Sequence, residues 1–243
     1  MPDRELHVYP DVPGLLQTTA RFLRDKIKEV LSSNAHCSIA LSGGNTPRSL
    51  YQLMARDPIR REIAWEKLRF FFGDERFVPH DHPDSNFRMA TESLFEPAGI
   101  NMKNVFPVDT SMSPSHAAAA YQKTIKAQLS AAGVFNIVLL GLGNDAHTAS
   151  LFPHTDVLEE RSVWVKEVHM KSLDSWRITF TVPLITAAQT IVFLAHGASK
   201  AAAVKHVLEG SHDPKSYPAQ YIVPVEGTVH WFLDGEAAAG ISS

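Results

Sequence analysis

Asp145 and His147 stand two positions apart, directly after the apolar run Ile137-Val-Leu-Leu140 and the glycine pair Gly141-Leu-Gly143. Four consecutive apolar residues bounded by glycine read as a buried strand. Such a strand hands the polar residues that follow it to the carboxyl edge of a sheet, where open α/β sheets bind ligands. An imidazole with an ordinary pKa near ~6.5 accepts a proton at neutral pH, and general-base catalysis contributes roughly 10²–10⁴-fold. A carboxylate beside the ring orients it and steadies the imidazolium that forms. One histidine among 12 carries little weight by type alone; its place after a strand and a turn singles out His147.

Three further turns carry candidate binding groups. Ser42-Gly43-Gly44-Asn-Thr46-Pro47 separates the strand Cys37–Leu41 from a helix through Ser49–Ala55. A strand, a glycine turn and a helix start aim unpaired N–H groups and the positive dipole end at one spot, which suits a phosphate. The plainer reading of the same residues is a tight turn with Thr46 as an ordinary N-cap. Asp74-Glu75-Arg76 ends the strand Lys67–Phe72, either as its solvated exit or as ligand contacts at the same edge. Lys200 follows Gly197 at a strand-to-helix junction; a cation there opposes the helix dipole, and a bound anion would remove the conflict. Arg177 begins an alternating strand, as an edge charge or as a contact.

Other chemistries fit poorly. Gly141-Leu-Gly143-Asn-Asp145-Ala146 matches the dinucleotide fingerprint, with Glu167 beyond it. That fingerprint needs a full helix straight after the glycines, and Pro153 stops one within two turns. A nicotinamide site is therefore rejected, and no cofactor is expected. His147, His154, Asp145 and Asp156 form only a loose group without a dense ligand spacing, so no metal is expected. No G-x-S-x-G elbow occurs, and nothing marks Ser150 as activated.

The elements that must position these residues alternate along the chain. Leu6–Tyr9 reads as a first strand, and Asp11 caps an amphipathic helix through Leu31. Asp84 or Ser85 can cap a helix through Asn86 and Leu94. Val105–Val108 reads as a short strand, and Ser113-Pro114 opens a helix to about Ala132, stopped by Gly133. Ser162–Val168, Arg177–Val182, Thr190–Ala195 and Val229–Leu233 read as late strands, with a helix from Gly197 to about Leu208 before Gly210. About eight strands alternating with helices predict an α/β fold: a largely parallel, twisted sheet flanked by helices on both faces, with a few late strands out of parallel order. The 243 residues, 44% apolar, suit one domain over 1–243. A net charge of -3 gives no reason to expect nucleic acid. Cys37, the single cysteine, sits in a strand and reads as packing in a reducing compartment. Met1–Tyr9 lacks a signal-peptide core, and no run reaches the ~20 apolar residues that span a bilayer. A cytoplasmic protein without a membrane partner is expected; the oligomeric state stays open.

Taken together, Ser42-Gly-Gly-Asn-Thr-Pro47, Asp74-Glu-Arg76 with Val78-Pro79, Ser85-Asn86, Gly141 through Pro153, the Arg177 strand, Gly197-Ala-Ser-Lys200-Ala201 and Pro218-Ala-Gln220 resemble the 6-phosphogluconolactonases. The resemblance covers nearly the whole chain, and its specific part is His147-Thr-Ala-Ser-Leu-Phe-Pro153. It implies a Rossmann-like fold of the glucosamine-6-phosphate deaminase type. It also implies metal-free hydrolysis of 6-phospho-glucono-δ-lactone to 6-phosphogluconate in the oxidative pentose phosphate pathway. His147 and Asp145 would be catalytic, and a backbone N–H of the Gly141–Gly143 turn would stabilise the oxyanion. Ser42, Gly43, Gly44, Thr46, Asp74, Arg76, Asn86, Gly143, Arg177 and Lys200 would bind the sugar phosphate. One departure stands out: the family usually has glycine where this chain has Ala146. The deaminase/isomerases typically read Asp-Gly-His-Ile-Ala-Phe-Asn-Glu-Pro over this stretch, and the missing Glu argues against that chemistry. A sugar-phosphate sensing module is the other alternative, but the residues before Cys37 are too few for a helix-turn-helix.

Overall fold

A computed structural model describes residues 4–129, 133–170 and 174–242. Among them the strands are β1 (Arg4–Tyr9), β2 (Cys37–Leu41), β3 (Leu68–Phe72), β4 (Asp74–Arg76), β5 (Ile137–Leu140), β6 (Val165–Met170), β7 (Ser175–Phe180), β8 (Thr190–Ala195) and β9 (Thr228–Asp234). The helices are α1 (Val12–Ser33), α2 (Asn45–Met54), α3 (Ile59–Glu62), α4 (Asn86–Ala90), α5 (Glu96–Ala98), α6 (Pro114–Gln128), α7 (Val182–Thr186) and α8 (Ala201–Glu209).

The main sheet has the order β1-β9-β8-β5-β2-β3, and every neighbouring pair in it is parallel. All residues of β2, β5 and β8 are buried, which is why their sequences are mostly apolar, with only Ser38 and Thr190 polar, rather than alternating. Their side chains nonetheless divide with period two. Ile39, Leu41, Ile137, Leu139, Val192 and Leu194 join the core under α1 and α2. Ala40, Val138, Leu140, Ile191 and Phe193 join the core on the opposite face, with residues of α6 and α8. The sheet is thus covered on both faces, as expected.

The late strands do leave the parallel order: β4, β7 and β6 form a separate antiparallel sheet in that sequence. β4 itself was not foreseen, since three charged residues after a glycine look like a turn. Val105–Val108 is not a strand; only Val105 makes an isolated bridge, to Phe70. Pro107 explains the failure, because it has no N–H to give a ladder. Asp11 caps α1 through its carboxylate, which accepts from Gly14 N–H at 2.8 Å, and Ser85 caps α4 by accepting from Arg88 N–H at 3.2 Å. Beyond α4 the helix continues through a π turn (Thr91–Phe95) and α5 to Gly99 at φ 71, longer than the pattern to Leu94 suggested. α6 stops at Gln128, and its expected end near Ala132 lies outside the described residues. Among the described residues, no helix is long and apolar enough to cross a membrane.

Candidate active site

From β2 the chain steps outward to β3, and from β5 it steps the other way to β8 and β9. The carboxyl ends of β2 and β5 therefore flank a topological switch point, the crevice where such sheets bind ligands. An open cleft of about 340 Å³ lies there, lined by Ser42, Gly43, Gly44, Asp74, Arg76, Gly143, His147, Arg177 and Lys200. These nine come from five turns or strands far apart in sequence.

No helix follows Gly141–Gly143; the chain makes turns and a small bridge between Thr148 and Leu151. Gly143 N–H donates to the His147 carbonyl (2.8 Å), and Ala146 N–H donates to the Gly143 carbonyl (3.0 Å). Thr148 Oγ–H holds the start of the turn through the Gly141 carbonyl, 2.8 Å away. His147 Nδ1 lies 2.5 Å from Asp145 Oδ1, which leaves Nε2 as the ring nitrogen free to exchange a proton. Phe152 packs on the imidazole at 4.3 Å between ring centroids. The His147 hydrogen bond holds the Asp145 carboxyl below the usual carboxylate range, against the opposing effect of partial burial.

Gly143 is glycine for a reason of space. A β-carbon there would fall on the His147 imidazole and on Asp145 Oδ1. Its N–H is taken up by the His147 carbonyl, so it cannot serve as the oxyanion donor expected of this turn. Gly143 acts by making room for the His–Asp pair.

The phosphate-type turn is built around Tyr51 of α2. The Tyr51 hydroxyl accepts from Ser42 N–H (3.0 Å) and lies 2.9 Å from the Ser42 carbonyl oxygen, fixing the chain as it leaves β2. Gly44, at φ 106, precedes α2, a conformation that glycine adopts without strain. The first helical bond runs from Arg48 N–H to the Gly44 carbonyl at 3.1 Å, so the N–H groups of Asn45 and Thr46 have no intrahelical acceptor. Thr46 lies within α2 and its side chain is not part of the cleft lining. Asn86 also stands behind the lining. It is buried, donates from Nδ2 to the Asp74 carbonyl (2.9 Å), and packs so closely on Gly43 that a β-carbon there would overlap its carboxamide.

Alternation along β4 sorts Asp74, Glu75 and Arg76. Asp74 and Arg76 face the cleft, while Glu75 is only 1% exposed and points inward. Its carboxylate accepts from the backbone N–H groups of Arg76 (2.8 Å), Asn86 (2.7 Å) and Phe87 (2.8 Å), and from Ser85 Oγ (3.2 Å). Burial pushes its acid up, opposed by those backbone bonds. Glu75 is thus the anchor of the α4 N-terminus. Arg177 faces Arg76 across the β4–β7 ladder. Burial, then the Arg76 charge, lowers the Arg177 guanidinium from its ordinary value. Burial likewise lowers Lys200, whose Nζ donates to Asn144 Oδ1 at 2.7 Å. Two arginines and a lysine around one cleft, with too few carboxylates to match them there, make a site for an anion.

A family model described as "Glucosamine-6-phosphate isomerases/6-phosphogluconolactonase" matches residues 10–231. The chain belongs to this family. A 6-phosphogluconolactonase of Synechocystis sp. is 40% identical over 222 residues, 89% of each chain. One of Nostoc sp. is 37% identical over 244 residues, 98% of this chain and 99% of its own. The solved structure of the 6-phosphogluconolactonase from Trypanosoma brucei superposes with a TM-score of 0.88 at 32% identity, covering 100% of both chains.

Within this family framework Ala146 takes φ 61, the left-handed region that the usual glycine would enter freely. Ala149 and His154 share that region, at φ 48 and 58. Ala146 is fully buried, and its carbonyl accepts from Ala219 N–H at 3.0 Å, so the Pro218-Ala-Gln220 segment braces the turn. Sequence reasoning missed Ser150, whose buried hydroxyl donates to Asp74 Oδ2 at 2.7 Å. No spacing signals that pair, because 76 residues separate its members. Asn144 and Phe152 were missed as well; both lie within the quoted motif, but only their contacts give them roles.

Proposed function

We propose that this chain hydrolyses 6-phospho-D-glucono-1,5-lactone to 6-phosphogluconate. The observation that carries the reading is the His147–Asp145 pair on one side of a cleft whose other groups are cationic. Asp145 keeps the His147 proton on Nδ1, so Nε2 draws a proton from water as that water attacks the lactone carbonyl. The imidazolium, steadied by Asp145, then donates its Nε2 proton to the departing ring oxygen. Arg76, Arg177 and Lys200, with the amides at the start of α2, hold the phosphate; planar guanidinium groups grip phosphate oxygens two at a time. Lactone hydrolysis needs an activated water and a fixed substrate, and these groups supply both. We place the protein in the cytoplasm, because the buried thiol of Cys37, pushed up to about 12 by desolvation, suits a reducing compartment without being reactive itself.

The deaminase/isomerase reading is disfavoured at one position. Where that type of sequence has Glu before the proline, this chain has Phe152, an apolar ring against His147. No carboxylate stands there to move a sugar proton. The deciding experiment follows acid release from fresh lactone, with spontaneous hydrolysis subtracted, alongside ammonia release from glucosamine 6-phosphate. Enzyme-dependent acid release without ammonia is expected. Ammonia release, or no acid above the spontaneous rate, would overturn the reading.

A further inference from the structure

Away from the cleft, on the paired strands β1 and β9, three side chains converge on one point. Glu5 and His7 are two apart on β1 and share a face; His230 is the direct partner of Glu5 in the parallel ladder with β9. His7 Nε2 lies 3.3 Å from His230 Nδ1, Glu5 Oε2 lies 3.6 Å from His7 Nε2, and Glu5 Oε2 lies 3.4 Å from His230 Nδ1. Among the described residues this is the only group of three or more such side chains whose ligand atoms all lie within 4.8 Å of one another.

The spacing has a chemical meaning. Zinc binds imidazole nitrogen and carboxylate oxygen at about 2.0–2.2 Å, and the edges of such a tetrahedron are about 3.3–3.6 Å long. All three separations fall in that range, so the three ligand atoms are spaced like corners of one such coordination shell. The rings are also held in place. His7 stacks on Phe232 at 4.4 Å, and Phe22 of α1 packs on His230 at 4.6 Å and on His7 at 6.1 Å. Aromatic walls that lock ligand orientation are what a preorganised metal site requires. His230 is 4% exposed, His7 26% and Glu5 58%, so the triad opens to solvent on one side, where water can complete the shell. Lys26 is a neighbouring cation, but its ammonium is paired with Glu29 at 2.9 Å.

We infer that Glu5, His7 and His230 form a binding site for one Zn²⁺ ion, which clamps the edge strand β1 onto β9. Two imidazoles and one carboxylate are a borderline donor set that suits zinc and cobalt and not magnesium or calcium.

The test uses tag-free protein stripped with EDTA, dialysed, and loaded with Zn²⁺ or Co²⁺. One equivalent of zinc per chain should survive gel filtration and raise Tm. Co²⁺ should give the strong visible bands of tetrahedral coordination. Glu5→Gln and His7→Gln keep the buried His230 and should fold; each should bind zinc at least about tenfold more weakly, a loss seen even for outer partners of metal ligands. Both should keep wild-type turnover, since neither residue is near the cleft. Equal zinc binding by wild type and both variants would place the ion elsewhere and overturn the assignment. So would wild-type protein that retains no stoichiometric zinc, because the three groups would then only share a proton.

Discussion

Arg76 and Arg177 are direct partners across the antiparallel β4–β7 ladder, two like charges on adjacent strands facing one cleft. Like charges placed directly opposite destabilise a sheet. The arrangement makes sense when an anion lies between them. Arg177→Gln is therefore expected to raise the Tm of the unliganded protein slightly. The same variant should lose most of the Tm gain that 6-phosphogluconate gives the wild type, and its KM for lactone should rise at least about tenfold. Thermal melts with and without product check both signs together.

His147→Asn should lower kcat by at least about 100-fold with little change in product affinity, because it removes the proton acceptor and leaves the cationic groups in place. Near-normal turnover in this variant would remove His147 from the mechanism. Stopped-flow or pH-stat assays at several lactone concentrations separate kcat from KM.

The Asp145 carboxyl is held below its ordinary value by the His147 hydrogen bond. In the window between the folded and unfolded values the unfolded chain binds more protons, so stability rises with pH there. The contribution of this pair is complete above the ordinary carboxylate value near 3.8 and is lost as pH falls through the lower folded value. The Tm difference between wild type and Asp145→Ala should therefore keep its full size down to the ordinary carboxylate value near 3.8 and shrink as pH falls below it. A difference that grows below that value would contradict the assignment.

Gly143→Ala places a methyl where the imidazole stands. His147 is on the cleft rim and can swing outward, so the damage should fall on catalysis rather than folding. Turnover is expected to drop at least about tenfold while Tm changes by only a few degrees. An unchanged kcat would mean that the His147 position seen here is not the working one.

Ala146 sits at φ 61 with its methyl in the core. Left-handed backbone costs a non-glycine residue about 1–2 kcal/mol. A buried methyl returns about 0.8 kcal/mol and glycine loses a further ~0.5–1 kcal/mol in chain entropy. Ala146→Gly should thus leave Tm within about 4 °C and turnover within a factor of about three, measured side by side with wild type. The alanine is tolerated because strain and packing nearly cancel.

Much of the architecture was legible because local rules and the global fold agree. Apolar runs marked β2, β5 and β8 as strands of a largely parallel sheet, and Asp11, Ser85 and Gly210 marked helix ends. Expectation failed where one residue overruled a pattern, as Pro107 did for Val105–Val108, or where pairing created a strand from charged residues, as β7 did for β4. The triad of Glu5, His7 and His230 was invisible for the same reason: a ladder joins residues 5 and 230, and sequence distance says nothing of register.

By itself the sequence determined the chemistry on offer: a histidine with a carboxylate two residues away, glycines at strand ends, and cations at neighbouring turns. Those features are local, set by residue type, strand period and turn geometry, and so they survive being read along a line. Only the tertiary structure decided which of them act together. It turned Glu75 inward as an anchor and Arg76 outward, set Thr46 and Asn86 off the cleft, and joined Ser150 to Asp74. It also took the Gly143 amide out of use while making its missing side chain indispensable to the His147 position. These outcomes depend on strand pairing and close packing between distant segments, and the energies that choose among them exist only once the segments meet.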